Sequence, residues 1–418
     1  MAAAVALSER GCRVAVYESA KRLGGRARAV AYKNGTLDNG QHLLIGAYRD
    51  TLHLIETVGV PSERLWRMPL TWHIAGGISF RAADASAPWH VLCGMLRSTG
   101  WSMALRVECI RFIAYWRRKQ YALGHDITVG ELLRTHRQSA PVVRELWEPL
   151  CVAALNTRPE HASARVFLHI LRDTLGAHAS ASQMILPRCD LSALFPEPAA
   201  AYVRARGGRI MLGEPVLGVD QEGGTFRLAT KSGLHAHACV VLASHPSRVV
   251  GLVGHMPRMA HVVEQIKALT YEPIVTVYLQ YARAPVMPFP MIGFTDACTQ
   301  WLFDRGAISA QKGLLAAVIS ARGRHQRYAH RDLAQHVHAE IASAFPAIDP
   351  PLWTQVVEEK RATIACVPNL ERPDQRAPIP GLFIAGDYTR SDYPATLESA
   401  VQSGLRCAAL VCEQVGGA

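Results

Sequence analysis

Glu18 ends a short apolar segment, Cys12–Glu18 (CRVAVYE), and six residues later come Gly24, Gly25 and Arg26 within RLGGRAR. A carboxylate at such a strand end reaches the two ribose hydroxyls of an adenosine in a dinucleotide-binding fold. Paired glycines permit positive φ and close backbone approach, and arginines suit a pyrophosphate. The plainer alternatives are a solvent-facing acid and a solvated basic turn; the two features side by side favour the dinucleotide. Near the other end, Gly381–Gly404 reads GLFIAGDYTRSDYPATLESAVQSG. An apolar strand stops at Ala385-Gly386-Asp387, and a helix starts near Thr396 with Glu398 close behind. A helix N-terminus aimed into a cleft offers free N–H groups and a positive dipole end to an anionic or electron-rich ring. Asp387 can bond a ribityl hydroxyl or a phosphate-bound water, or simply cap the helix.

The elements that must position these residues alternate at first. Residues 1–10 read as a helix and Cys12–Glu18 as a buried strand, the second half of a βαβ unit, followed by a turn at residues 33–35. From about 90 to 180 the pattern is helical and rich in arginine and tryptophan. Strands are expected at 209–219 and 238–243, with Gly223-Gly224 turning between them, then at Tyr271–Gln280 and Leu314–Ser320. Residues 332–345 place Leu333, Val337 and Ile341 at four-residue spacing, a helix with one buried stripe. The C-terminus returns to strand Gly381–Ala385 and helix 397–413. The expected architecture is α/β: a nucleotide-binding domain from residues 1–75, 205–260 and 355–418, with an inserted substrate domain from 76–204 and 261–354.

With 418 residues the chain exceeds one ordinary core, so two domains are expected. No apolar run approaches the ~20 residues of a spanning helix, and no signal peptide is evident. Ten scattered cysteines without a CxxC pair point to a reducing cytoplasm rather than to disulfides or zinc. The formal charge of +11 comes from arginines spread along the chain with no nucleic-acid motif. Anionic lipid or a diphosphate cofactor accounts for it as well. Two further features have competing readings. Leu105, Cys109, Phe112, Ile113 and Trp116 share a helical face beside Arg106, Arg117, Arg118 and Lys119, which describes either a basic amphipathic helix resting on a bilayer or a helix packed on the second domain. His325, His330, His336 and His338 lie close in sequence, but no cysteine or acid is evident to complete a metal site, so solvated or capping roles are expected and no metal.

The two end motifs together resemble the FAD-binding amine oxidase and phytoene desaturase superfamily, with its E-x5-GGR and GD…ATxExAxxSG signatures. The likeness continues at Asp38–Tyr48 (DNGQHLLIGAY), Leu146–Thr157 (LWEPLCVAALNT), Leu186–Ser192 (LPRCDLS) and Tyr271–Ile274 (YEPI). These stretches are similar to one branch of it, the hydroxysqualene dehydroxylase family of hopanoid synthesis, also labelled squalene-associated FAD-dependent desaturase. The resemblance implies a Rossmann-type FAD-binding domain carrying an inserted α+β substrate domain. It implies that Glu18 holds the adenosine ribose, that Gly24, Gly25 and Arg26 hold the pyrophosphate, and that Val216 contacts the adenine through its backbone. Gly386, Asp387 and the turn with Ala395, Thr396 and Leu397 would hold the ribityl chain and the flavin edge. Asn39, Gly40, Gln41 and His42 would lie near the flavin on the substrate side. The family's first strand and G-x-G-x-x-G loop have no counterpart here, and residues 1–10 match the helix that follows that loop, so the expectation is a late start or a truncated gene.

The activity so implied is reductive removal of the hydroxyl of hydroxysqualene, a long polyisoprenoid, with an unidentified electron donor. Contacts with an anionic membrane surface and with neighbouring squalene-pathway enzymes are further expectations, and location is cytoplasmic or peripheral to the inner membrane. Candidate proton donors are His42, Asp190 and Tyr393. A carotenoid-type desaturase running hydride transfer in the opposite direction is the second reading. An amine oxidase fits less well, because Ala395-Thr396-Leu397 stand where its aromatic cage would be. A catalytically dead lipid-binding remnant is the reading from a different class.

Overall fold

The computed structural model describes residues 1–33, 35–176 and 178–416. The helix Ala2–Glu9, nearly all alanine, valine and leucine, packs along the C-terminal helix Leu397–Gly416. Gly404 makes the close approach possible, since a Cβ there would lie 3.0 Å from that of Ala2. Strand Ala15–Glu18 pairs in parallel with Arg209–Leu212, and Val240–Leu242 in parallel with Leu382–Ile384. Among the described residues no ladder joins these two pairs. Both nevertheless feed one core, in which Ala6, Leu7, Cys407 and Leu410 meet Phe383, with Val14 and Val241 partly buried against them. The single strand expected over 209–219 is two, Arg209–Leu212 and Val216–Glu222, because Gly213 adopts φ +68° and turns the chain out of the parallel pair. The second piece opens a three-stranded antiparallel sheet whose first hairpin turns at Gly223-Gly224, both at positive φ. Asn34, the middle of the turn expected at 33–35, lies outside the described residues; the flanking strands Ala29–Tyr32 and Gly35–Asp38 pair antiparallel.

A five-stranded antiparallel sheet forms the second layer, with Tyr271–Gln280 paired to Leu314–Ser320 on one side and Trp353–Ile364 on the other. Its side chains sort by the period of two of a strand. Val275, Val277, Leu279, Leu315, Ala317 and Ile319 face helix His330–Ala344, which presents Leu333, Val337 and Ile341 as expected. Tyr278, Ala316 and Val318 face the helical segment before residue 172, around Trp147 and Phe167. Both faces are covered, which is why Leu314–Ser320 is an unbroken apolar run.

Three expected boundaries move. Strand Trp353–Ile364 pairs into this sheet, residues 355 onward included, and only its last residue, Ile364, buries in the nucleotide-side core. Helix Ala260–Ala268 buries Val262, Val263 and Ile266 in the nucleotide-side core beyond residue 260. Helix Pro196–Ala205 also lies there, because Ala199 and Val203 pack against Ala2 and Val5.

Helix Met103–Arg118 is capped by the Ser102 side chain and buries Cys109, Phe112 and Trp116. The Phe112 ring sits 4.8 Å from that of Trp147 and 5.4 Å from that of His136. Of the two readings of this apolar face, bilayer contact or packed helix, the packed one holds, since Trp147 and His136 stand at contact distance. No helix among the described residues is long and apolar enough to cross a membrane.

Candidate functional site

The loop after Glu18 owes its shape to two glycines. Gly24 takes φ +108° and its carbonyl accepts from Ala27 N at 2.9 Å; a Cβ on Gly24 would stand 2.5 Å from Ala27 O, so no side chain fits. Gly25 takes φ +57° with open space above it. Glu18 Oε1 accepts from Ala20 N at 2.7 Å and from Ser19 Oγ at 3.3 Å, which holds the carboxylate at the mouth of this loop. The turn delivers Arg26 across the molecule: its guanidinium lies 2.6 Å from Asp387 Oδ1 and donates to the carbonyl of Ala362. Asn39 braces it from behind, donating Nδ2 to Arg26 O at 3.1 Å and N to Arg28 O at 2.9 Å. The two end motifs, 361 residues apart, thus meet at one ion pair.

On the C-terminal side, strand Leu382–Ile384 runs into Gly386, where φ is +156° and a Cβ would strike the Tyr388 ring at 2.4 Å. The Gly386 N–H donates to Ser403 Oγ at 2.8 Å, and Asp387 follows, buried. The Tyr388 hydroxyl is buried with no partner among the described residues, beside Asp387 and Arg26, and burial first of all raises its pKa. Next, Thr396 and Ser399 cap the final helix reciprocally, Thr396 N to Ser399 Oγ at 2.9 Å and Ser399 N to Thr396 Oγ1 at 3.2 Å, with Ala395 buried before them and Leu397 opening the helix.

Glu398 is 1% exposed and anchors the start of this helix to helix Arg49–Thr57. It accepts from Asp50 N, Thr51 N and Thr51 Oγ1 at 3.0, 2.9 and 2.7 Å. Glu398→Gln keeps the shape but turns an amide N–H₂ toward one of those donors. The expected loss is about 1–3 kcal/mol, seen as a melting temperature lower by a few degrees. An unchanged thermal transition would show that these bonds do not anchor the flavin-side helix.

A third group gathers around Asp38. Asp38 is 3% exposed, accepts from Leu191 N at 2.8 Å and lies 3.5 Å from the Arg305 guanidinium, itself buried. Burial outweighs these favourable contacts and pushes the carboxyl up to about 6. Arg305 donates to Gln41 Oε1 at 2.8 Å, Gln41 N to Thr276 Oγ1 at 3.4 Å, and the Tyr278 hydroxyl to Asp38 O at 3.0 Å. Gly40 takes φ +144°, and its carbonyl accepts from His42 Nδ1 at 2.8 Å. A carbonyl can only accept, so Nδ1 carries the proton and Nε2 of the neutral ring carries the lone pair. Burial lowers the His42 pKa, and the Arg26 charge acts in the same direction against the Gly40 bond.

The other two proposed donors do not join His42. Asp190 caps helix Leu191–Leu194, accepting from Ala193 N at 3.0 Å. The Tyr393 hydroxyl donates to the Asp173 carboxylate, its ring meets His169 edge-on at 4.9 Å, and its pKa is raised, first by burial and then by Asp173. It borders a polar cavity of about 470 Å³ with Gln402, Ser403 and Arg406, and holds its proton there. Val216 pairs with Thr230 and packs, partly buried, in the core that Tyr17 and Tyr271 also border. Arg305, Thr276 and Tyr278 escaped the sequence reading because they come from the second-layer sheet and its neighbour. Beside the histidines, a cysteine and an acid do stand: ligand atoms of Cys298, His336 and Glu340 lie within 4.8 Å of one another. Glu340 is already taken, accepting from Cys298 N and Thr299 N at 2.6 and 2.8 Å with Arg324 4.0 Å away.

A glycine turn that excludes side chains, a cation presented over it, a strand-end carboxylate and an orphaned phenol fit an anionic dinucleotide such as FAD. Glu18, Gly24, Gly25, Arg26 and Asp387 are the groups that would hold it. The chain is similar to the hydroxysqualene dehydroxylase of Rhodopseudomonas palustris, 29% identical over 430 residues that cover 98% of this chain and 95% of that protein. It is also similar to the zeta-carotene desaturase of Zea mays, 22% identical across 99% of this chain and 81% of that one. Cyclohexylamine oxidase from Brevibacterium oxydans has the same fold, with a TM-score of 0.72 and 16% identity over 99% of this chain and 96% of the other. The resemblance read from the motifs is thereby borne out. Residues 1–412 match the family described as flavin containing amine oxidoreductase, and the chain belongs to that family as an FAD-dependent oxidoreductase.

Proposed function

We propose that the chain reductively removes the hydroxyl of hydroxysqualene, giving squalene and water. The observation that carries the reading is the Arg26–Asp387 pair, which joins the two end motifs in a chain similar along nearly its whole length to relatives named hydroxysqualene dehydroxylase. An allylic C–O bond ionises when its oxygen is protonated and the cation is shielded from water, and one hydride at carbon then completes the exchange. FAD, when bound and reduced, supplies that hydride.

The chain's residues manage the proton. His42 Nε2, which carries the ring's lone pair, accepts the substrate O–H and orients it; the ring donates only after taking up a proton itself. Because burial holds the His42 pKa below its ordinary 6.5, the ring is neutral at pH 7 and the charged form grows as pH falls. Turnover that uses His42 as the acid therefore rises as pH drops below the ordinary histidine range.

The test is anaerobic turnover of hydroxysqualene with chemically reduced FAD, with product identified by mass, across pH. Squalene is expected, with the acidic rise lost in His42→Gln. A His42→Gln profile parallel to the parent protein removes His42 as donor; no squalene at any pH removes the reaction. The second reading, desaturation of a carotene by oxidised FAD, is favoured by the relatives named zeta-carotene desaturase, and conversion of a carotene under the converse conditions would establish it.

A further inference from the structure

Four large apolar side chains stand exposed within one helical hairpin: Trp89 (57%), Leu96 (42%), Met103 (56%) and, further along, Tyr115. Trp89 and Leu96 are seven residues apart on helix Trp89–Leu96, with Leu92 and Cys93 half-buried between them, so they share one outward stripe. Met103 opens the next helix. The connection is stiff. Arg106 donates to Leu96 O at 2.7 Å and to Trp101 O at 2.9 Å, and Thr99 exchanges backbone bonds with Ser79 at 2.9 and 3.0 Å. This pinning fixes the connection between Leu96 and Met103, both exposed, while Phe112 and Trp116 of the same hairpin turn inward.

Charge identifies the occupant. Between residues 85 and 120 there are six basic side chains, Arg97, Arg106, Arg111, Arg117, Arg118 and Lys119, and one acid, Glu108, whose carboxylate already accepts from Ser139 N at 2.6 Å. A monomer gains nothing by displaying a tryptophan and two aliphatic chains to water. A second copy of this chain would bring the same six cations against these six. An anionic bilayer matches both halves: tryptophan and aliphatic chains enter the headgroup boundary while flanking arginines meet lipid phosphates.

We propose that the ledge Trp89–Leu96–Met103 is a docking surface for an anionic lipid bilayer. It stands on surface composition alone and requires no particular substrate. The probe is cosedimentation of the full chain with vesicles of phosphatidylcholine and with vesicles in which about one-third is phosphatidylglycerol. Binding is expected to the anionic vesicles, and to weaken as salt rises. Trp89→Ser with Leu96→Ser should reduce it roughly tenfold with little change in melting temperature, because about half of each side chain is already in water. Leu96→Ser with Met103→Ser gives the same readout should the tryptophan variant fold poorly. Arg97→Glu with Arg111→Glu should abolish the preference for anionic lipid. The proposal is overturned if the parent protein stays in the supernatant, if both apolar variants pellet like the parent, or if they change only the oligomeric state in sedimentation velocity.

Discussion

Asp387→Asn is expected to purify folded and to bind FAD roughly 10- to 100-fold more weakly than the parent protein. Asp387 is buried, and its charged partner among the described residues is Arg26, whose side chain remains 37% exposed. Water can therefore solvate the released guanidinium, and the amide keeps the carboxylate's shape, so stability falls little. Binding suffers more. A carboxylate accepts strong hydrogen bonds from ribityl hydroxyls and sets the direction of Arg26; a neutral amide does both poorly, at about 1.5–3 kcal/mol for a charge-assisted bond. Titration by flavin fluorescence measures this directly, with Arg26→Ala as the companion variant that removes the pyrophosphate-facing cation. Affinities within threefold of the parent for both variants would mean that the pair is a structural clasp and the cofactor lies elsewhere.

Replacing Phe112 and Trp116 together by serine is expected to unfold the helical part of the substrate side or lower its melting temperature by many degrees. Each side chain is at most 5% exposed, and truncation of a buried aromatic costs about 3–5 kcal/mol. The two share neighbours, His136 among them, so their costs will not simply add. The contrast with Trp89 and Leu96 is the diagnostic. Serine at the exposed pair should change melting little and affect vesicles, whereas serine at the buried pair should do the reverse. A well-folded Phe112→Ser, Trp116→Ser protein would contradict the packing described here.

Much of this protein was legible in the residues themselves, for a physical reason. A strand and a helix are specified by local periodicity, and so Tyr271–Gln280, Leu314–Ser320 and the Leu333, Val337, Ile341 stripe all lie where their spacing places them. Glycines at strained turns are similarly local: Gly24 and Gly386 are demanded by atoms two or three residues away. The end motifs, the cofactor class and the family follow from such short-range features. What depended on the tertiary structure is which distant surfaces meet. Helix Met103–Arg118 has apolar side chains that would suit a bilayer or a core, and only the arrival of Trp147 and His136 decides between them. Asp190 and Tyr393 lie in chemically promising stretches, yet a helix N-terminus claims the first and Asp173 the second. Arg305 looked like any arginine until the fold buried it between Asp38 and Gln41, and the Arg26–Asp387 pair closes a gap of 361 residues. Local spacing sets what a side chain can do; the company it keeps is decided by core packing, which no short window of sequence contains.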